Sequence, residues 1–250
     1  MKKTILLILL LLECICIYAQ RATVAAAANL RYVLEEIKTQ YVSENPKVNL
    51  QISYGSSGML TQQIMNGAPF DLFLSADTVF PNKIKEKGQA SGEVETYCYG
   101  KVVMWSASID VSKGIKSVLS PEIKKIAVAN PANAPYGENT VAMLKKQNIY
   151  DKISKKIVWG ENINQTAQFV FSGNAEIGFI ALSLALAPEM KNKGKYYVLP
   201  EDNCPPVKQA AVLIKGWEKN GEAAKFLKYL TSVQCEAIWE KYGYNVNYGK

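Results

Sequence analysis

Apolar runs that end in short polar turns and resume at helical spacing leave this chain few ways to fold. Residues 22–28 form a small apolar run suited to a buried strand, after which Leu30, Val33, Leu34, Ile37 and Tyr41 recur at the spacing of one helix face. Residues 48–54 alternate as a strand. Residues 57–66 carry Met59, Leu60 and Ile64 on one side of a second helix, which Gly67 and Pro69 close. A short strand at 71–75 and a helix over 76–87 complete this series. A second series begins at 126–129 and continues through a helix bearing Val141 and Leu144 and a strand at 157–159. A helix bearing Ile163, Ala167 and Val170 and a strand at 177–181 then follow. Such alternation predicts an α/β protein of two lobes, each a mainly parallel sheet flanked by helices. The long apolar stretch at 97–107 is expected to run from one lobe into the other. The strand-like 207–215 and the closing helix marked by Ala223, Phe226, Leu227 and Leu230 would then return to the first. The expected divisions are 20–98 and 205–250 for one lobe and 99–204 for the other. Two crossings suit a hinge that closes over a ligand in the cleft.

Residues 1–19 have the layout of a cleaved signal peptide: Lys2 and Lys3, an apolar run from Ile5 to Leu12, and a small residue at Ala19. The run is shorter than the roughly 20 residues of a spanning helix, and Glu13 interrupts it. Export to the periplasm with no membrane span in the mature chain is therefore expected. A lipid tether at Cys14 or Cys16 is disfavoured by Glu13, which stands where a small residue belongs. Cys98, Cys204 and Cys235 remain, an odd number that leaves at least one thiol free; one bridge is open, and spacing does not choose it.

The chain has no histidine, which removes Ser-His-Asp and Cys-His mechanisms and most zinc sites. No cofactor is expected. The net charge of +7 comes from dispersed lysines with only Arg21 and Arg31 beside them. That favours encounter with anions without forming a stripe for nucleic acid. Asp71 and Asp77 flank the 71–75 strand, but they lack the nucleophile, base or further ligands that acid–base or metal chemistry requires.

The turns hold the remaining chemistry. AAAANL at 25–30, YGSSG at 54–58 and NPANAPYG at 130–137 each end an apolar run and open a helical one; GENINQ at 160–165 and GFIALS at 178–183 are the others. Brought together, they would aim backbone N–H groups and small side chains at one point, as a receptor for a small oxyanion requires. Each has a plainer reading. Ser56 and Ser57 suit a helix N-cap, Asn29 another, and Asn162 or Asn164 a third, which leaves the Ile163 N–H pointing outward. Pro135 suits the first turn of a helix, leaving the Tyr136 N–H free, or Tyr136 packs over the turn as structure.

At these residues the chain resembles the periplasmic molybdate-binding proteins of bacterial ABC importers, a group of type II periplasmic binding proteins. The likeness runs through AAAANL, YGSSG with GAPFDLFLSAD, NPANAPYG, GENINQTAQFVFSGNAEIGFIALS and YGY at 242–244. The resemblance implies a monomer that binds molybdate, and tungstate, through neutral donors from both lobes and hands it to an ABC permease. It places the ligand contacts at Asn29, Ser57, Tyr136 and Ile163, the last two through backbone N–H groups, with Ala28 and Ser56 adjoining. Many members have Ser in place of Asn29, and a ligand-touching Tyr in place of Ala181. The alternatives are a receptor for sulfate, thiosulfate or another oxyanion, an exported α/β hydrolase or transferase using Asp71, Asp77 or a free Cys, and an adhesin or signalling module.

Overall fold

The computed structural model describes residues 20–246 apart from 217, 219 and 220. The expected signal peptide lies outside the described residues. In chain order, β1 (Gln20–Ala27) leads through a short 3-10 turn (Ala28–Leu30) into α1 (Arg31–Glu44), and β2 (Val48–Gly55) into α2 (Ser57–Met65). β3 (Leu72–Ser75), α3 (Val79–Glu86), β4 (Ala90–Gly100) and β5 (Val102–Ser106) follow. Next come β6 (Ile126–Ala129), α4 (Pro135–Lys146), α5 (Tyr150–Ile153), β7 (Ile157–Gly160), α6 (Ile163–Phe171), β8 (Ile177–Ala181) and α7 (Leu182–Ala185). The chain ends in β9 (Lys195–Val198), β10 (Val207–Ile214), α8 (Glu222–Leu230) and α9 (Val233–Lys241).

The strands form two five-stranded sheets, ordered β2-β1-β3-β10-β4 and β7-β6-β8-β5-β9. In the first, β1 is parallel to β2 and β3, and β10 runs against both β3 and β4. In the second, β6 is parallel to β7 and β8, and β5 runs against both β8 and β9. Each sheet thus reverses a single strand. Sheet membership changes at Lys101 and again between Val198 and Val207, so the chain crosses twice.

Helices cover both faces of the first sheet, which accounts for an unbroken apolar β1. Ala22, Val24 and Ala26 face the main core, while Ala25 joins Leu60, Ile64, Phe73 and Ile84 on the other side. Five departures from the sequence pattern share one cause. The expected 97–107 strand is two strands, the first of which begins at Ala90 within the mostly exposed ASGEVET; β9 is an exposed edge strand with no alternation; α5, α7 and α9 are short or weakly amphipathic. Elements that are very short or expose most of their length leave little periodicity to read.

The expected 76–87 helix starts late, at Val79, because the Asp77 carboxylate accepts from the Phe80 N–H (3.1 Å) and the Ser75 hydroxyl (3.0 Å) and holds the preceding residues as a turn. Gly137, in the first turn of α4, lies so close to the end of β6 that a Cβ there would stand 2.0 Å from the Ala129 carbonyl oxygen. Replacement of Gly137 by Ala is expected to lower the unfolding free energy by about 2 kcal/mol or more, as overpacking does. A urea midpoint equal to that of the parent protein would contradict this contact.

Candidate functional site

Parallel register brings the turns together in pairs. β1 and β2 are aligned so that Ala27 lies opposite Gly55, which sets the turn after β1 beside the turn after β2. In the second lobe, Ala129 lies opposite Gly160, with the same effect on the turns after β6 and β7. Both pairs are at the carboxyl ends of parallel strands, where open α/β sheets bind their ligands. The lobes meet there: the Gly58 N–H donates to the Asn133 carbonyl at 2.9 Å, and a Cβ on Gly58 would stand 2.9 Å from the Asn133 Cα.

Between the four turns lies a small cavity. Ala27, Ala28, Asn29, Gly55, Ser56, Ser57 and Ala76 line it from one lobe, and Ala134, Pro135, Tyr136, Asn162 and Ile163 from the other. All six residues expected at the site are therefore brought together, each at most 4% exposed. None of the lining residues is charged. GFIALS does not line the cavity; instead its Ser183 donates to the Asn29 carbonyl from behind at 2.9 Å. Sequence reasoning also missed Gly55 and Ala76, small residues whose only signal is that they let the backbone come near.

Three helices of nine to twelve residues begin at this cavity: α2 at Ser57, α4 at Pro135 and α6 at Ile163. First-turn N–H groups have no acceptor within their own helix. Asn162 caps α6, its Oδ1 accepting from the N–H groups of Asn164 and Gln165 at 3.0 Å each, which leaves that of Ile163 outside the cap. The plainer cap reading fails for Ser56, which makes no side-chain cap bond; its buried Oγ has no partner. Ser57 Oγ accepts from the Ala76 N–H at 3.1 Å, so its proton is free to donate.

Asn29 does not cap α1. Its Nδ2 donates to Gln209 Oε1 (2.8 Å) and the Tyr244 hydroxyl (2.9 Å), and its Oδ1 is buried without a partner. The Tyr136 ring packs inward, where its hydroxyl accepts from Gln209 Nε2 at 3.3 Å. Burial raises the pKa of the Tyr97, Tyr136 and Tyr244 phenols, so these hydroxyls stay protonated at neutral pH.

Other candidate groups are employed structurally. Asp71 accepts from the Thr23 N–H (2.8 Å) and hydroxyl (2.7 Å) at one end of β3, while Asp77 caps the turn at the other, so they form no carboxylate pair. Cys98, Cys204 and Cys235 are all free and buried, so the bridge left open by the sequence does not form. Burial pushes the Cys98 thiol well up, Cys204 to about 12 and Cys235 to about 11, which removes the thiolate a nucleophile needs. A wider groove between α3 and α4 is lined by Asp77, Lys83, Glu138 and Lys145, charges of both signs that favour no one ion.

Two sheets of mixed strands flanked by helices, with a neutral polar cavity where they meet, define a solute-binding protein. The chain belongs to the bacterial extracellular solute-binding protein family, whose profile matches residues 22–245. It is 35% identical over 221 residues to the molybdate-binding protein ModA of Rhodobacter capsulatus, covering 88% of this chain and 86% of that one. It is also 35% identical over 230 residues to the molybdate-binding protein ModA of Azotobacter vinelandii, covering 91% of each. The solved periplasmic molybdate-binding protein of A. vinelandii superposes with a TM-score of 0.84 at 31% identity, over 90% of this chain and 98% of that one.

Because the Asn162 carboxamide holds two N–H groups of α6, Asn162→Ala is expected to lower stability by about 1 kcal/mol, as loss of an N-cap does. Chemical denaturation measures it, and an unchanged midpoint would show that the cap holds nothing.

Proposed function

We propose that this protein captures molybdate outside the cytoplasmic membrane, in the cavity between its lobes, and delivers it to an ABC permease. The observation that carries this reading is the meeting of three helix N-termini and the unpartnered Ser56 hydroxyl in one uncharged cavity. The relatives' identity as molybdate-binding proteins supports the choice of ion. Ser57, Ser56 and Asn29 serve as side-chain contacts, with backbone N–H groups from Tyr136 and Ile163 and close approach at Ala28. Each helix end presents about half a positive charge, so three of them offset most of a dianion without any lysine. A hydrogen bond to a charged group contributes about 1.5 to 3 kcal/mol, so the five named donors supply about 8 to 15 kcal/mol, which spans the roughly 8 to 12 kcal/mol of micromolar to nanomolar binding.

Among the described residues no helix is long and apolar enough to cross a membrane. The family likeness is the ground for reading the mature protein as an exported monomer. Tungstate, of the same charge and shape, would bind as well. Sulfate is smaller, and donors fixed at helix ends would leave long, weak bonds to it.

Calorimetric titration is expected to show molybdate and tungstate bound at least tenfold more tightly than sulfate or phosphate; the reverse order would overturn the choice of ion. The pH dependence follows from the buried phenols. Their folded pKa values lie above the ordinary value of about 10, so none ionises between about pH 7 and 9, and molybdate affinity should be flat there. A steep fall within that window would place a titrating group at the cavity.

A further inference from the structure

Behind the cavity, Asn29 belongs to a buried network drawn from distant parts of the chain. Its Nδ2 donates to Gln209 Oε1 at 2.8 Å and to the Tyr244 hydroxyl at 2.9 Å, leaving Oδ1 as the carboxamide end without a partner. Gln209, fully buried as the third residue of β10, donates through Nε2 to the Tyr136 hydroxyl at 3.3 Å. The Tyr97 hydroxyl lies 3.3 Å from Gln209 Oε1 and also donates to the Ser75 carbonyl at 2.9 Å. Gln209 therefore ties Asn29, in one lobe, to Tyr136, which opens a helix in the other.

In this arrangement the spare atom of a cavity-lining residue is an acceptor. An anion needs a donor there, and an oxygen lone pair facing it would repel it. Turning both carboxamides by 180° reverses the polarity within the same volume. Gln209 Nε2 then donates to Asn29 Oδ1 and to the Tyr97 hydroxyl, the Tyr136 hydroxyl donates to Gln209 Oε1, and Tyr244 turns its proton from the Asn29 carbonyl and Ser183 Oγ to Asn29 Oδ1, the Asn29 carbonyl keeping its bond from Ser183. The Asn29 Nδ2 is freed, and every buried partner stays paired.

We propose that Gln209 is a positioning residue which sets the end of the Asn29 carboxamide that faces the cavity, so that both amides take the turned arrangement when an oxyanion is bound. The inference rests on the reading of the cavity as an oxyanion site. It gives Tyr136 a second part beyond its backbone N–H, since its hydroxyl supplies the donor that the turned Gln209 requires. A Cβ at Gly100 would stand 2.0 Å from that hydroxyl, so the crossing strand makes room for it.

Neutron diffraction from deuterated crystals, with and without molybdate, locates the amide deuterons directly. The expected result is Gln209 ND₂ facing Asn29 and Asn29 ND₂ facing the anion in the loaded protein. Gln209 oxygen still facing Asn29 in that state would overturn the proposal. In calorimetry, Gln209→Met, which neither donates nor accepts as an amide does, should bind molybdate about tenfold more weakly, the equivalent of one mispositioned donor. Unchanged affinity in that variant would also overturn it. Failure of the parent protein to bind molybdate at all would instead refute the functional reading.

Discussion

The alignment of β1 with β2 and of β6 with β7 is the constraint from which the rest of the site follows. In each pair, two parallel strands end level with one another, at Ala27 and Gly55 in one sheet and Ala129 and Gly160 in the other. Level ends put consecutive turns side by side and aim the helices that follow them at the same point. A slip of one residue in either pair would turn every side chain of the slipped strand to the opposite face and separate the turns. Backbone pairing and buried apolar strands thus place the polar atoms, and no polar atom needs to recruit its neighbours.

A cavity made this way is electrostatically unusual. Its walls are neutral, yet the ends of α2, α4 and α6 and the side chains of Asn29, Ser56 and Ser57 leave it rich in unspent polarity. A buried polar atom without a partner is destabilising by about 1 to 3 kcal/mol, so the unpartnered Ser56 hydroxyl beside three helix ends accords with a ligand there. Neutral donors also suit reversible capture. A buried lysine would bind an anion through a single flexible point charge, whereas donors fixed to helix ends discriminate by the size and shape of the ion. Closure is built in, since the lobes touch directly at Gly58 and Asn133 and again where Ser183 meets Asn29.

Much of this was legible in the sequence, for a definite reason. Strands buried on both faces and helices with one apolar face announce themselves through composition and spacing, and the turns between them inherit their position from that pattern. The turns that carry Asn29, Ser57, Tyr136 and Ile163 could be placed because each comes after a recognisable strand, whereas the choice of those four residues came from the family resemblance. Gln209 and Tyr244 could not be so placed. Gln209 is one polar residue inside the strand-like VKQAAVLI, and its hydrogen bonds to Asn29 and Tyr136 span 180 and 73 residues of sequence. Only the antiparallel insertion of β10 between β3 and β4 brings it behind the cavity. The competition between caps and ligand contacts was likewise undecidable from residue type: Asn162 is a cap, whereas Ser56 and Asn29 are not.

The central claim is that uncharged groups from both lobes together replace the water around a doubly negative ion. Anomalous diffraction at the molybdenum edge from crystals grown with molybdate tests it most directly. The account predicts one strong peak between the first turns of α2, α4 and α6, with oxygens in hydrogen-bond reach of Ser57, Tyr136 and Ile163 and no lysine or arginine in contact. A peak in the open groove beside Lys83 and Lys145, or one held by a cationic side chain, would contradict it.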